Sequence, residues 1–182
     1  MGTPLAFGTR TNDSKFDFYP TPEYSTEKIL SKIKLIEPIL EPANGLGSIT
    51  KVVKKYYQNI TTFDINLEAQ ADKYLDFFNY NDEKFNTIIT NPPFKYNHKC
   101  EFIKKALESV NENGLVIMFL KLTYLESRRR KEFLTNNPPK HIFVHSERVC
   151  LLDGYGGKGG GVVYAWFVWE KGYKGKSMLE LI

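Results

Sequence analysis

Cysteine is nearly absent from this 182-residue chain: Cys100 and Cys150 are the two it has, too few for a disulfide framework. Its three histidines, His98, His141 and His145, have no metal-ligand spacing with those cysteines, so no metal site is expected. Long apolar runs are missing too. The longest, residues 162–169 and 115–120, fall far short of the roughly 20 residues needed to cross a bilayer. No apolar stretch opens the chain as a secretory leader would, and together these absences predict a cytoplasmic protein with no membrane contact. Nor is there a strong charge of one sign. Lys and Arg number 25 and Asp and Glu 21, and the net +4 permits a polyanionic partner without requiring one.

What is present is ordinary globular composition, with 42% hydrophobic and 14% aromatic residues, enough to bury a sizeable core. The length suits one domain. Residues 1–17 are polar and aperiodic and are expected to form a flexible arm, which leaves residues 18–182 as a single domain.

The apolar pattern alternates between strand and helix. Ile29, Leu30, Ile33 and Ile36 recur at helical spacing after Pro22, which suits a first helical turn. Ile39-Leu40 reads as a short strand, followed by a glycine turn and a helix carrying Ile49, Val52, Val53 and Tyr56. Residues 60–65 read as a strand, 67–74 as a short helix and 87–90 as a strand. Cys100, Ile103, Ala106, Leu107 and Val110 mark a helix, with Gly114 in the place of a C-cap glycine and residues 115–120 as a buried strand. Thr123 and Glu126 form a capping-box pattern before a helix reaching Leu134. Residues 142–144 and 162–169 give two last strands with no helix between them, hence an antiparallel pair. About seven mostly parallel strands with helices on both faces make a doubly wound α/β sheet.

Two constellations fall at strand ends, where such sheets bind ligands. The first is Glu41-Pro42-Ala43-Asn44-Gly45-Leu46-Gly47. Gly45 and Gly47 let the backbone turn tightly and approach a ligand closely, and the amides of the next helix favour an anionic group. Thr50 stands where a nicotinamide fingerprint would have its third glycine, so the pattern serves either a different nucleoside ligand or a tight turn alone. Asp64 ends the next strand, where a carboxylate takes ribose hydroxyls or caps a helix. The second is Asn91-Pro92-Pro93-Phe94. Its prolines keep the backbone extended and leave the Pro92 carbonyl beside the Asn91 side-chain oxygen. Two such acceptors can take both hydrogens of a planar amine and localise its lone pair, with Phe94 against the ring; the plainer reading is a rigid turn.

In order, Tyr19-Pro20-Thr21-Pro22, Glu41 to Gly47, Asp64, Asp76 and Asn91 to Phe94 resemble the motifs of S-adenosylmethionine-dependent adenine-N6 DNA methyltransferases, in the order of the gamma class. The resemblance spans residues 18–169 and implies a Rossmann-like fold, S-adenosylmethionine as cofactor and DNA as partner. It implies that Tyr19, Pro20 and Thr21 close over the methionine end of the cofactor. Glu41, Pro42, Ala43, Asn44, Gly45 and Gly47 would line its methionine and ribose, and Asp64 would hold the ribose hydroxyls. Ile65, Asp76 and Phe77 would surround its adenine, and Asn91, Pro92, Pro93 and Phe94 would be catalytic. Methylation of RNA or of a protein glutamine uses a similar acceptor motif, and an inactive methyltransferase-like binding module is the reading of another class.

The resemblance also has gaps. No recognition domain follows the last strands, so target readout is expected to be of low specificity or supplied by a partner protein. The family's late aromatic near the target base has no matching position, leaving Arg148, Tyr155 or no residue for that work. Lys121, Arg128, Arg129, Arg130, Lys131, Arg148 and Lys158 are the candidate nucleic-acid contacts, although a charge run on a helix is commonly a solvated face. Residues 154–161 lack the Walker spacing and read as a flap or a flexible hairpin. Trp166 and Trp169 lie in an apolar strand and read as core.

Overall fold

The computed structural model describes residues 20–93, 100–149, 151 and 162–182. Tyr19, Phe94, Cys150, Tyr155, Lys158, the arm and the glycine-rich segment lie outside the described residues.

Pro22 precedes helix α1 (Glu23–Lys32), which buries Ser25, Thr26 and Ile29. It packs against α2 (Ser48–Val53), whose Ile49, Val52 and Val53 are buried. Exposed pairs tie the two helices, with Lys51 donating to Glu23 at 2.5 Å and Lys55 to Glu27 at 2.7 Å. Strands β1 (Ile39–Glu41), β2 (Ile60–Asp64) and β4 (Phe85–Thr90) run parallel, with β1 between the other two. The long β5 (Val110–Lys121) pairs parallel with β4. Then the direction reverses: β7 (Tyr164–Glu170) is antiparallel both to β5 and to β6 (His141–Val144). The short strands β3 (Lys73–Tyr74) and β8 (Met178–Leu181) close the edges, giving the order β3-β2-β1-β4-β5-β7-β6-β8.

Helices α1 and α2 cover one face of the sheet over Ile39, Ile89, Ile117 and Trp166. Helix α3 (Glu101–Ser109) covers the other face over Ile88, Met118 and Trp169, with Phe133 and Leu134 of α4 (Arg128–Asn136) at its margin. Central strands covered on both faces must be apolar throughout, which is why β5 and β7 read as unbroken hydrophobic runs. Both tryptophans are core residues. Trp166 donates its ring N–H to the Ser25 carbonyl at 3.1 Å, and Trp169 to the Asn137 carbonyl at 3.1 Å.

The alternation, the antiparallel pair and the two-faced helices are as expected from the sequence, and four local readings are corrected. Residues 67–74 form turns and the two-residue β3 instead of a helix, because Asp72 ties that segment to Thr62, its carboxylate accepting from the Thr62 amide at 2.8 Å. Gly114 is not a helix cap. α3 stops at Ser109, and Gly114 lies inside β5, where an added Cβ would come within 2.8 Å of the Asn111 carbonyl and the Val110 side chain. Thr123 lies inside a short 3-10 turn (Leu122–Leu125) and caps no helix, and α4 is capped by Ser127, whose hydroxyl accepts from the Arg129 amide. Finally, Ile36 and Tyr56 are exposed beyond their helices. The described residues form eight strands, close to the seven or so expected. The strands that the sequence reading did not place, β3 and β8, are short and exposed, so they carry little hydrophobic pattern.

Candidate functional site

The chain leaves β1 for β2 on one side, while β4 lies on the other, so a crevice opens at the carboxyl ends of β1 and β4. A pocket occupies it. Pro20, Thr21, Glu41, Pro42, Ala43, Asn44, Gly45, Asp64, Ile65, Asp76, Phe77, Asn91, Pro92 and Pro93 all line this one cavity. Residues from five separate stretches of sequence thus converge: four of them end a parallel strand or follow one, and the fifth, Pro20-Thr21, leads into α1. The wall also includes Ser48, Ile49, Asn66, Leu75, Phe78 and Phe102, which the sequence motifs did not single out. Phe102 on α3 had a signal only in its helical spacing. Gly47 is set back from the lining and starts α2 in the left-handed conformation at φ 76°.

The glycine turn is held from several sides. The Asn44 amide donates to the Phe63 carbonyl at 3.0 Å, and the Gly47 amide to the Asn44 carbonyl at 2.8 Å. Gly45, at φ 55°, donates its amide to Asp64 Oδ2 at 2.7 Å and accepts at its carbonyl from the Gln70 amide at 2.8 Å. Asp64 Oδ1 accepts from the Asn66 amide at 2.8 Å. Asp64 therefore pins the turn and its own loop together, and no regular helix begins there for it to cap. α2 has six residues, so its dipole is small.

Below the turn, Glu41 is buried, with 2% of its surface exposed. The Thr50 hydroxyl lies 3.1 Å from Glu41 Oε2 and 2.5 Å from Asn44 Oδ1. Asn44 Nδ2 donates to the Gln70 carbonyl. Burial pushes the Glu41 carboxyl well above the usual carboxylate range, with nearby Asp64 pushing the same way. Asp76 caps a 3-10 turn (Phe77–Asn79) by accepting from the Phe78 amide at 2.9 Å. Phe77 is buried against Phe102, with ring centroids 5.3 Å apart, whereas Ile65 is 57% exposed at the lip. Among the described residues the pocket is lined by three carboxyl groups and by no Lys, Arg or His. Such a cavity suits a cationic ligand with a planar apolar part.

The described basic candidates lie outside the pocket lining. Arg128, Arg129 and Lys131 are exposed on α4, Arg148 is exposed after β6, and Lys121 is half-buried at the end of β5. Arg130 differs from its neighbours. Its guanidinium donates to the carbonyls of Tyr124 at 2.7 Å, Glu126 at 3.1 Å and Thr123 at 3.2 Å, and it stacks 4.4 Å from the Tyr124 ring. It holds the turn between β5 and α4. No cluster of three or more metal-ligating side chains occurs among the described residues, and none of their helices is long and apolar enough to cross a membrane.

No protein-family model and no curated protein matches the sequence. Solved structures do match. One, described as a class I S-adenosylmethionine-dependent methyltransferase from Listeria monocytogenes, aligns at 13% identity and a TM-score of 0.58 over 88% of this chain and 62% of that one. The type I restriction enzyme EcoKI M protein aligns at 15% identity and 0.62, over 87% of this chain and 44% of that one. The fold is the Rossmann-like methyltransferase fold. A protein from Pyrococcus horikoshii described as an RNA methyltransferase shares it at 14% identity and 0.62, over 86% of this chain and 87% of that one. The chain thus spans under two thirds of the Listeria and EcoKI proteins and most of the Pyrococcus one. Within the methyltransferase fold, the pocket between β1 and β4 is the switch-point crevice of the sheet.

Proposed function

We propose that this chain is a methyltransferase that takes the methyl group of S-adenosylmethionine to the exocyclic N6 of adenine in DNA. The observation that carries the reading is the convergence in one acid-lined pocket of Glu41, Asp64 and Asp76 with Asn91, Pro92 and Pro93. The pocket fits the cofactor's chemistry: carboxyl groups with no base among the described lining residues suit its two positive centres, and the exposed Ile65 at the lip offers an apolar face for its adenine. In this reading Glu41 and the glycine turn hold the methionine end, Asp64 the ribose, and Ile65, Asp76 and Phe77 the adenine. Tyr19 to Thr21 and Phe94 complete the site as the motif order implies.

S-adenosylmethionine supplies, when bound, an electrophilic methyl on a sulfonium. The chain's own part is to position the acceptor. Asn91 Oδ1 and the Pro92 carbonyl accept the two amine hydrogens, drawing the nitrogen lone pair out of the ring and into line with the methyl. The attacking nitrogen forms its bond to the methyl carbon as the sulfur–carbon bond breaks, becomes positively charged and acidic, and releases its proton without a strong base. A duplex target must first be extruded from its stack, with Arg128, Arg129 and Lys131 on α4 meeting phosphates.

RNA is the second reading, favoured by the match to the Pyrococcus protein, which covers nearly all of both chains. A partner protein supplying target recognition suits either reading, as does a single catalytic domain over residues 18–182. Incubation with methyl-labelled cofactor and either plasmid DNA or total RNA, followed by mapping of modified bases, tests the proposal. N6-methyladenine in DNA, with short or no sequence context, is the expected result. Label confined to RNA moves the second reading forward, and no label in either from a folded sample that binds cofactor points to an inactive binding module.

A further inference from the structure

Thr50, Asn44 and Glu41 share one hydroxyl proton, and their geometry says where it goes. Asn44 Nδ2 donates to the Gln70 carbonyl, which fixes the orientation of the amide; flipped, it would set two oxygens against each other. Asn44 Oδ1 is therefore an acceptor, and the Thr50 hydroxyl at 2.5 Å is its donor. A hydroxyl has one hydrogen. Committed to Asn44, Thr50 presents only a lone pair to Glu41 Oε2 at 3.1 Å. An ionised Glu41 would meet that lone pair with another in a buried site, whereas a protonated Glu41 donates to Thr50 and completes the chain Glu41 to Thr50 to Asn44 to Gln70.

Burial and the nearby charge both weigh toward the protonated form. Thr50 is the contribution of α2, and the buried hydroxyl of Thr90 on β4 faces the same carboxyl, where it favours the ionised form against the larger effect of burial. β2 contributes Asp64, the one charged group acting on Glu41 among the described residues, and its sign opposes ionisation. Asp76 is the pocket's third acid, and Lys51 of α2 is turned outward to Glu23. Among the described residues no cation lines the pocket to keep Glu41 charged.

We propose that Glu41 is protonated in the empty pocket and gives up that proton to solvent when an α-ammonium group of the cofactor's amino-acid end takes its place beside the carboxylate. This rests on the cofactor reading above and adds a linkage to it: one O–H bond of Glu41 breaks, its proton leaves, and an ammonium–carboxylate pair replaces it. Binding should then tighten with rising pH, by up to about tenfold per pH unit for as long as Glu41 is protonated in the free protein.

The test is calorimetric titration of the full chain with S-adenosylhomocysteine, in pairs of buffers with different ionisation enthalpies at matched pH. The slope of binding heat against buffer enthalpy counts protons. Release approaching one proton per site is expected at the acid end of the range, and 5′-methylthioadenosine, which lacks the amino-acid end, should bind with none. Glu41→Gln still donates to Thr50 and so keeps the chain, but should bind S-adenosylhomocysteine more weakly and without proton release. Binding by wild type with no release across about pH 5 to 8 overturns the proposal, as does equal release with 5′-methylthioadenosine. Absence of any binding would instead strike at the cofactor reading itself.

Discussion

Replacing Asp64 should first damage the protein and only then its ligand binding, a result that the motif alone would not suggest. Both carboxylate oxygens are engaged without a ligand, Oδ2 by the Gly45 amide at 2.7 Å and Oδ1 by the Asn66 amide at 2.8 Å. Hydrogen bonds to a charged acceptor are each worth about 1.5 to 3 kcal/mol, so Asp64→Ala removes roughly 3 to 6 kcal/mol in gross terms. Both amides lie at the pocket mouth, where water can replace part of that, and about 2 to 3 kcal/mol should remain as a net loss. Asp64→Asn keeps one acceptor and turns an NH2 toward the other amide, so it should fall about midway. The assay is urea unfolding without cofactor. At a slope near 2 kcal/mol/M the Ala variant should unfold about 1 M earlier than wild type. An unchanged midpoint, with cofactor affinity nonetheless lost, would refute this account and leave Asp64 as a ligand contact alone.

Asn91→Ala retains both prolines and should lower the single-turnover methyl-transfer rate on adenine-containing DNA on the order of 100 to 1000-fold, while cofactor affinity measured by titration barely moves. The buried His145 sets its Nε2 2.8 Å from the Ser25 hydroxyl, and burial, helped by Lys28, pushes its pKa down to about 4. Because the unfolded chain then binds the extra proton, stability should be complete above about pH 6.5 and fall by roughly 2 kcal/mol at about pH 5. Unfolding midpoints should show this slope in wild type and lose it in His145→Gln. Arg130→Ala should lower the melting temperature, through loss of the turn it holds, at a cost of about 1 to 2 kcal/mol. Arg128→Ala with Arg129→Ala should leave melting unchanged and instead weaken nucleic-acid binding and flatten its salt dependence, read by fluorescence anisotropy.

Sequence alone was sufficient for the alternation of strands and helices, because a strand covered on both faces must be apolar throughout, as residues 115–120 are, and a covering helix shows its buried face every third or fourth residue. It also yielded the glycine turn and the Asn-Pro-Pro element, since glycine and proline restrict the backbone locally whatever surrounds them. Local pattern failed where a long-range contact decided the outcome. Asp72 binds residues 67–74 to Thr62, Gly114 answers a close approach within β5, and the edge strands β3 and β8 are too exposed to leave an apolar trace. The pocket belongs wholly to the tertiary structure. Glu41 and Asn91 stand 50 residues apart and become neighbours around one cavity only because β1 and β4 pair in parallel. The same holds for charge: spacing marked Arg130 as one of a basic run, but its three carbonyl partners separate it from Arg128 and Arg129. Hydrogen bonds between distant segments have no periodicity to read, so which oxygen Thr50 serves, and with it where the proton of Glu41 sits, was decided by the fold.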